Sequence, residues 1–153
     1  MYLIFFYVNI NIGDCMLVRL GYVAISTAID VTSSSPYTYS EYLNKCNIDK
    51  LDDVIKSNLL GLEEILKYNV KNNIHFYRMS SKIIPLATKD DVKFNYTTKY
   101  KKYYNRISKI INDNNLRVDF HPDQFCVLNS TNKDVVKNSI DILDYHYKLL
   151  NMM

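Results

Sequence analysis

Three times along the chain, a short run of β-branched and aromatic residues gives way to a polar loop and then to a stretch with helical hydrophobic spacing. No other feature of the sequence restricts the fold as much, because strands alternating with helices predict a parallel sheet with right-handed crossovers. The strand-like runs are residues 18–25, 74–79 and 116–120. The clearest helix covers residues 51–69, where Leu51, Val54, Ile55, Leu59, Leu62, Ile65 and Leu66 recur at steps of three and four. Asp49, Asp52 and Asp53 lie near its start, where negative charge meets the helix dipole favourably. A second helix is expected over 96–113, with Tyr100, Tyr103, Tyr104, Ile107, Ile110 and Ile111 as its buried stripe. A third is expected over 133–150, capped from residues 130–132, with Val136, Ile140, Leu143, Tyr147 and Leu150 inward. A closed barrel of eight such units takes about 250 residues, and this chain has 153. The expected architecture is therefore α/β, the N-terminal part of a (β/α)8 TIM barrel with about three βα units, incomplete.

Residues 16–153 are expected to form that portion. Residues 2–8 are apolar but too short to cross a bilayer, and the start lacks the basic residues and cleavage site of a signal peptide. Met16 opens a strand-like run, so residues 1–15 are expected to be a translated leader or a mis-assigned start. The alternative is an added edge strand. Residues 26–39 are rich in Ser and Thr and read as a long loop, followed by a turn or short helix at 41–43.

Apolar content of 48% and charged content of 23% suit a soluble globular domain. The net charge of +3 permits nucleic-acid binding without arguing for it. Cys15, Cys46 and Cys126 are odd in number and widely spaced, which indicates neither a disulfide framework nor a zinc ribbon. Free thiols suit a reducing cytoplasm. Cys126 is expected to pack as a small hydrophobe rather than to act as a nucleophile.

The third strand runs directly into His121, and Pro122 then stiffens the turn. Carboxyl ends of parallel strands are where α/β proteins hold ligands and metals. A neutral imidazole there can bind a metal, with Gln124 and Phe125 facing the same cleft; one His makes no metal site by itself, and it can equally bond backbone. Arg78, at the end of the second strand, is placed to contact phosphate or to pair with a carboxylate. His75 and His146 are expected to be structural.

Several runs in order resemble the UV damage endonuclease family: residues 18–24, residues 72–81 with 84–88, residues 114–125, and residues 127–130. The resemblance covers about residues 16–153. It implies a (β/α)8 barrel and an enzyme that nicks DNA 5′ to ultraviolet photoproducts with a cluster of divalent metals, typically manganese. It implies a metal-ligand role for His121, a lesion-probing role for Gln124 and Phe125, and a place for Tyr22 near extruded nucleotides. The family often has Tyr at the position of Phe125, so stacking survives and the hydroxyl is lost. Ser26 stands where a family Asn can occur. Lys89 stands where the family usually has a metal-binding His, and a protonated Lys has no lone pair to give a cation. The family's remaining ligands come from later strands.

UV-damaged double-stranded DNA is the partner expected, with no membrane and no obligate protein partner. The alternatives are a catalytically silent relic with weak DNA binding, and another metal-dependent TIM-barrel enzyme. Open strand edges on a partial barrel predict low solubility, aggregation or pairing with another chain.

Overall fold

In the computed structural model, residues 8–12, 15–45, 47–122 and 125–153 are described. The core is a parallel sheet of three strands in the order β3–β4–β5, formed by β3 (Gly21–Val23), β4 (Phe76–Ser80) and β5 (Arg117–His121). Ahead of it, β1 (Val8–Ile12) pairs antiparallel with β2 (Cys15–Arg19) in a separate two-stranded sheet. The helices are α1 (Tyr39–Lys45), α2 (Ile48–Lys71), α3 (Tyr96–Lys99), α4 (Lys101–Asp113) and α5 (Lys133–Leu150), with a 3-10 turn at Ser81–Ile83. Each parallel strand thus leads into helix, as the alternation in sequence requires.

α2 forms where the stripe predicted it. Leu51, Ile55, Leu59, Leu62, Ile65 and Leu66 are all buried. The Asn47 side chain caps the start by accepting from the Lys50 amide at 2.9 Å. The turns into β4 and β5 place Asn73 (φ 56°) and Asn115 (φ 49°) in the left-handed region that Asn tolerates better than most residues. α2 packs on α4, and the contact is pinned by Glu63. Its carboxylate accepts from Arg106 Nε at 2.8 Å, and Lys67 Nζ lies 2.9 Å away.

Three expectations change. The run 18–25 is not one strand: β2 ends at Arg19, β3 begins at Gly21, and Ala24 turns away with φ 55°. Gly21 is needed there, since a Cβ would sit 2.3 Å from the Phe76 carbonyl oxygen. Residues 8–12, inside the stretch expected to be a leader or mis-assigned start, are paired as β1, a finding that does not bear on that expectation. Residues 96–113 break at Tyr100, which leaves helical geometry (φ −105°, ψ 17°) and donates its hydroxyl to Asp52 at 2.6 Å.

The third change is the phase of α5. Ile140 is 54% and Tyr147 67% exposed, while Ser139, Tyr145, His146 and Leu149 are buried. Polar atoms of those side chains have partners in the interior, so burying them costs little. The Ile84 amide donates to the Tyr145 hydroxyl at 3.1 Å, and the His146 ring stacks on Phe120.

Candidate nucleic-acid-facing site at the carboxyl ends of the strands

Alternation along β5 puts Asp119 and His121 on one face and Val118 and Phe120 on the other. The register aligns Arg78 with Asp119 and Ser80 with His121. On that face the Arg78 guanidinium meets Asp119, Nε to Oδ1 at 2.8 Å, and lies 5.9 Å from the Phe76 ring. The Arg117 guanidinium is 5.5 Å from the same ring. Hydrogen bonding to Asp119 raises the Arg78 pKa, so the guanidinium stays charged. This resolves the two readings of Arg78: it pairs with a carboxylate. His121 sits one layer above the pair, exposed at the strand end.

The strand end is tied down from behind. Ser81, first residue of the 3-10 turn, donates its hydroxyl to the His121 carbonyl at 2.9 Å. His146 Nε2 is 2.8 Å from the same Ser81 oxygen. The His146 ring lies flat on Phe120, centroids 4.3 Å apart and planes at 1°. Burial lowers its pKa to about 4, so it is neutral at pH 7.

Beyond Pro122 the chain returns toward α5. The Val127 amide donates to Ser139 Oγ at 2.8 Å, that hydroxyl donates to the Val135 carbonyl at 2.8 Å, and Cys126 Sγ is 3.7 Å from the Ser139 carbonyl. Cys126 is a half-buried free thiol, as expected. Phe125, held just before this stitch, is 72% exposed. It shares a cavity of about 380 Å³ with Thr88, Lys89, Val127, Val135, Asn138, Asp141 and Ile142. Lys89 Nζ stands 5.3 Å from the Tyr39 ring centroid, and the Tyr39 hydroxyl bonds Asp91.

Lys89 and Phe125 are therefore brought to one cavity, which His121 does not line. Tyr22 and Ser26 lie elsewhere. Tyr22 occupies the same register position as Tyr77 and Val118, on the sheet face opposite His121. It is buried and donates its hydroxyl to Asn69 Oδ1 at 2.8 Å; burial raises its pKa. With Ser26 it lines a separate cavity of about 110 Å³. Gln124 lies outside the described residues. His75 is exposed ahead of β4, while His146 is buried rather than beside the buried stripe.

No three His, Cys, Asp or Glu side chains among the described residues stand close enough to share a metal ion. His121 has the ion-paired Asp119 beneath it. This donor set does not fit a manganese cluster.

A family model described as UV-endonuclease UvdE matches residues 18–153. The chain belongs to that family. A UV DNA damage endonuclease of Bacillus cereus (strain 03BB102) is 39% identical over 140 residues, covering 89% of this chain and 44% of the relative. One from Bacillus mycoides (strain KBAB4) is 38% identical over 142 residues, covering 90% and 45%. The crystal structure of SacUVDE superposes with a TM-score of 0.81 at 35% identity, over 88% of this chain and 45% of that one. The chain thus spans a little under half the length of the curated relatives it matches. Its three βα units correspond to the N-terminal part of the UvdE barrel. No helix among the described residues is long and apolar enough to cross a membrane.

Sequence reasoning expected His146 to be structural, but it did not foresee the contacts that Ser81, Ser139 and His146 make at this end of the sheet. Ser81 had a signal, standing directly after a strand, where a hydroxyl can reach the neighbouring strand end. His146 had none, since a helical His beside Tyr gives no sign of which way it faces.

Proposed function

We propose that this chain serves a DNA-repair endonuclease that nicks double-stranded DNA 5′ to ultraviolet photoproducts, and that its own share is to engage the lesion. The observation that carries this reading is the UvdE match across residues 18–153, which includes the exposed Phe125 after β5. Bases at a photoproduct stack poorly, so prying them apart costs less than in intact duplex. An exposed aromatic ring can occupy the gap, and base–aromatic stacking is worth about 1–3 kcal/mol. Gln124 would offer hydrogen bonds beside it. Lys89, on the rim of the same cavity, supplies a positive charge for a phosphate oxygen.

Hydrolysis in the full enzyme would need a divalent metal, manganese by family resemblance, with His121 as one ligand. The metal would supply a hydroxide and neutralise phosphate charge. One imidazole does not assemble that centre, so these residues bind damage and leave the cleavage step to others. The lack of a three-donor cluster among the described residues favours, as a second reading, a catalytically silent relic with at most weak DNA binding.

The test adds manganese to the purified chain and a duplex carrying one photoproduct. Retention of the duplex without a nick is the expected result. A manganese-dependent nick would overturn this division of labour. Phe125→Ala should weaken retention by about tenfold, the equivalent of one lost stacking contact.

A further inference from the structure

We propose that Ser81 and His146 are positioning residues, a two-part bracket anchored on α5 that fixes the carboxyl end of β5 and so the direction in which the His121 imidazole leaves the sheet. The inference rests on the proposed function insofar as His121 is taken to be a working residue.

The geometry has a definite direction. Ser81 has one hydroxyl hydrogen, and it goes to the His121 carbonyl at 2.9 Å. The Ser81 oxygen must therefore accept from His146 Nε2 at 2.8 Å, which requires the Nε2–H tautomer. Two partners hold the His146 ring in place: the hydroxyl at its edge and Phe120 against its face, 4.3 Å away. Phe120 immediately precedes His121 on β5, so one buried ring grips the strand end through a side chain and through a carbonyl. The carbonyl lies at the edge of the three-stranded sheet, where no further strand among the described residues pairs with it. Without the bracket, the backbone of His121 loses this anchor, and its Cα, which sets where the imidazole leaves the sheet, is free to shift. Preorganised support of this kind is what keeps a site residue on target.

Three histidines make the test direct. The full chain is labelled selectively at histidine with ¹³C and ¹⁵N. In the unmodified protein the His146 ring should show a proton on Nε2 at pH 7; a proton on Nδ1 would overturn the bracket without any variant. Ser81→Ala should shift the His121 carbonyl and ring signals, and Ser81→Thr should restore them. His146→Phe keeps the stack on Phe120 and removes the donor, and should shift the same His121 signals. Unchanged His121 signals in both Ser81→Ala and His146→Phe would sink the proposal. Binding to irradiated duplex is read in parallel. If the unmodified chain ignores damage while Ser81→Ala still moves His121, the function is wrong and the bracket stands.

Discussion

Arg78 and Asp119 face each other across neighbouring parallel strands, Nε to Oδ1 at 2.8 Å, directly beneath His121. Both are partly exposed, at 31% and 27% of the side chain, so solvent screens the pair. Asp119→Asn should cost only about 1 kcal/mol in urea unfolding. It should also remove one negative charge from the His121 face. DNA affinity should rise and its salt dependence steepen, as followed by titration at several salt concentrations.

Gly61→Ala reverses an ordinary rule. In an exposed helix interior the change stabilises by about 1 kcal/mol. Here the new Cβ would meet the Thr32 carbonyl oxygen, a backbone atom, at 2.0 Å. The loop at residue 32 must lift off α2, and thermal unfolding should show a loss of about 2 kcal/mol or more.

Asn58 is wholly buried and serves four backbone groups. It accepts from the Ser35 amide at 2.7 Å, and its two N–H hydrogens are shared among the carbonyls of Ser35, Lys82 and Ile83, 3.2, 3.3 and 3.1 Å from Nδ2. Asn58→Leu fills the space but orphans those groups. It should cost about 2–4 kcal/mol, with amide exchange speeding up first at Ser35.

Stability should fall on mild acidification. His146 titrates at about 4 when folded, against 6.5 for an unburied His. Below 6.5 the unfolded chain takes up a proton that the folded one refuses. The contribution is complete above 6.5 and is lost as pH drops toward 4, up to about 3 kcal/mol. Urea midpoints of His146→Phe should lack this slope. Asp52 acts in a lower window. Burial works to raise its pKa, but bonds from Lys56, Tyr100 and Lys99 hold it near 2, so its share disappears only below about 4.

What was legible in the sequence follows from where hydropathy alone decides burial. The α2 stripe was readable because six aliphatic side chains do the packing with no polar atoms to place. The phase of α5 was not, because Tyr145, His146 and Ser139 go inside on the strength of hydrogen bonds to residues 61, 65 and 12 positions away. The strand ending at His121 was readable from Pro122 after a β-branched run. Tyr22 was assigned through resemblance, and its burial against Asn69 depends on a contact 47 residues distant that no local pattern encodes. The break at Tyr100 depends likewise on Asp52, 48 residues away.

The central claim is that this part of a UvdE barrel recognises damaged DNA through the loop after β5. The most direct measurement is a fluorescence-anisotropy competition between one duplex with a photoproduct and the same duplex without it. The account predicts tighter binding to the damaged duplex by about tenfold, a preference that Phe125→Ala removes. Equal affinity for the two duplexes would contradict it.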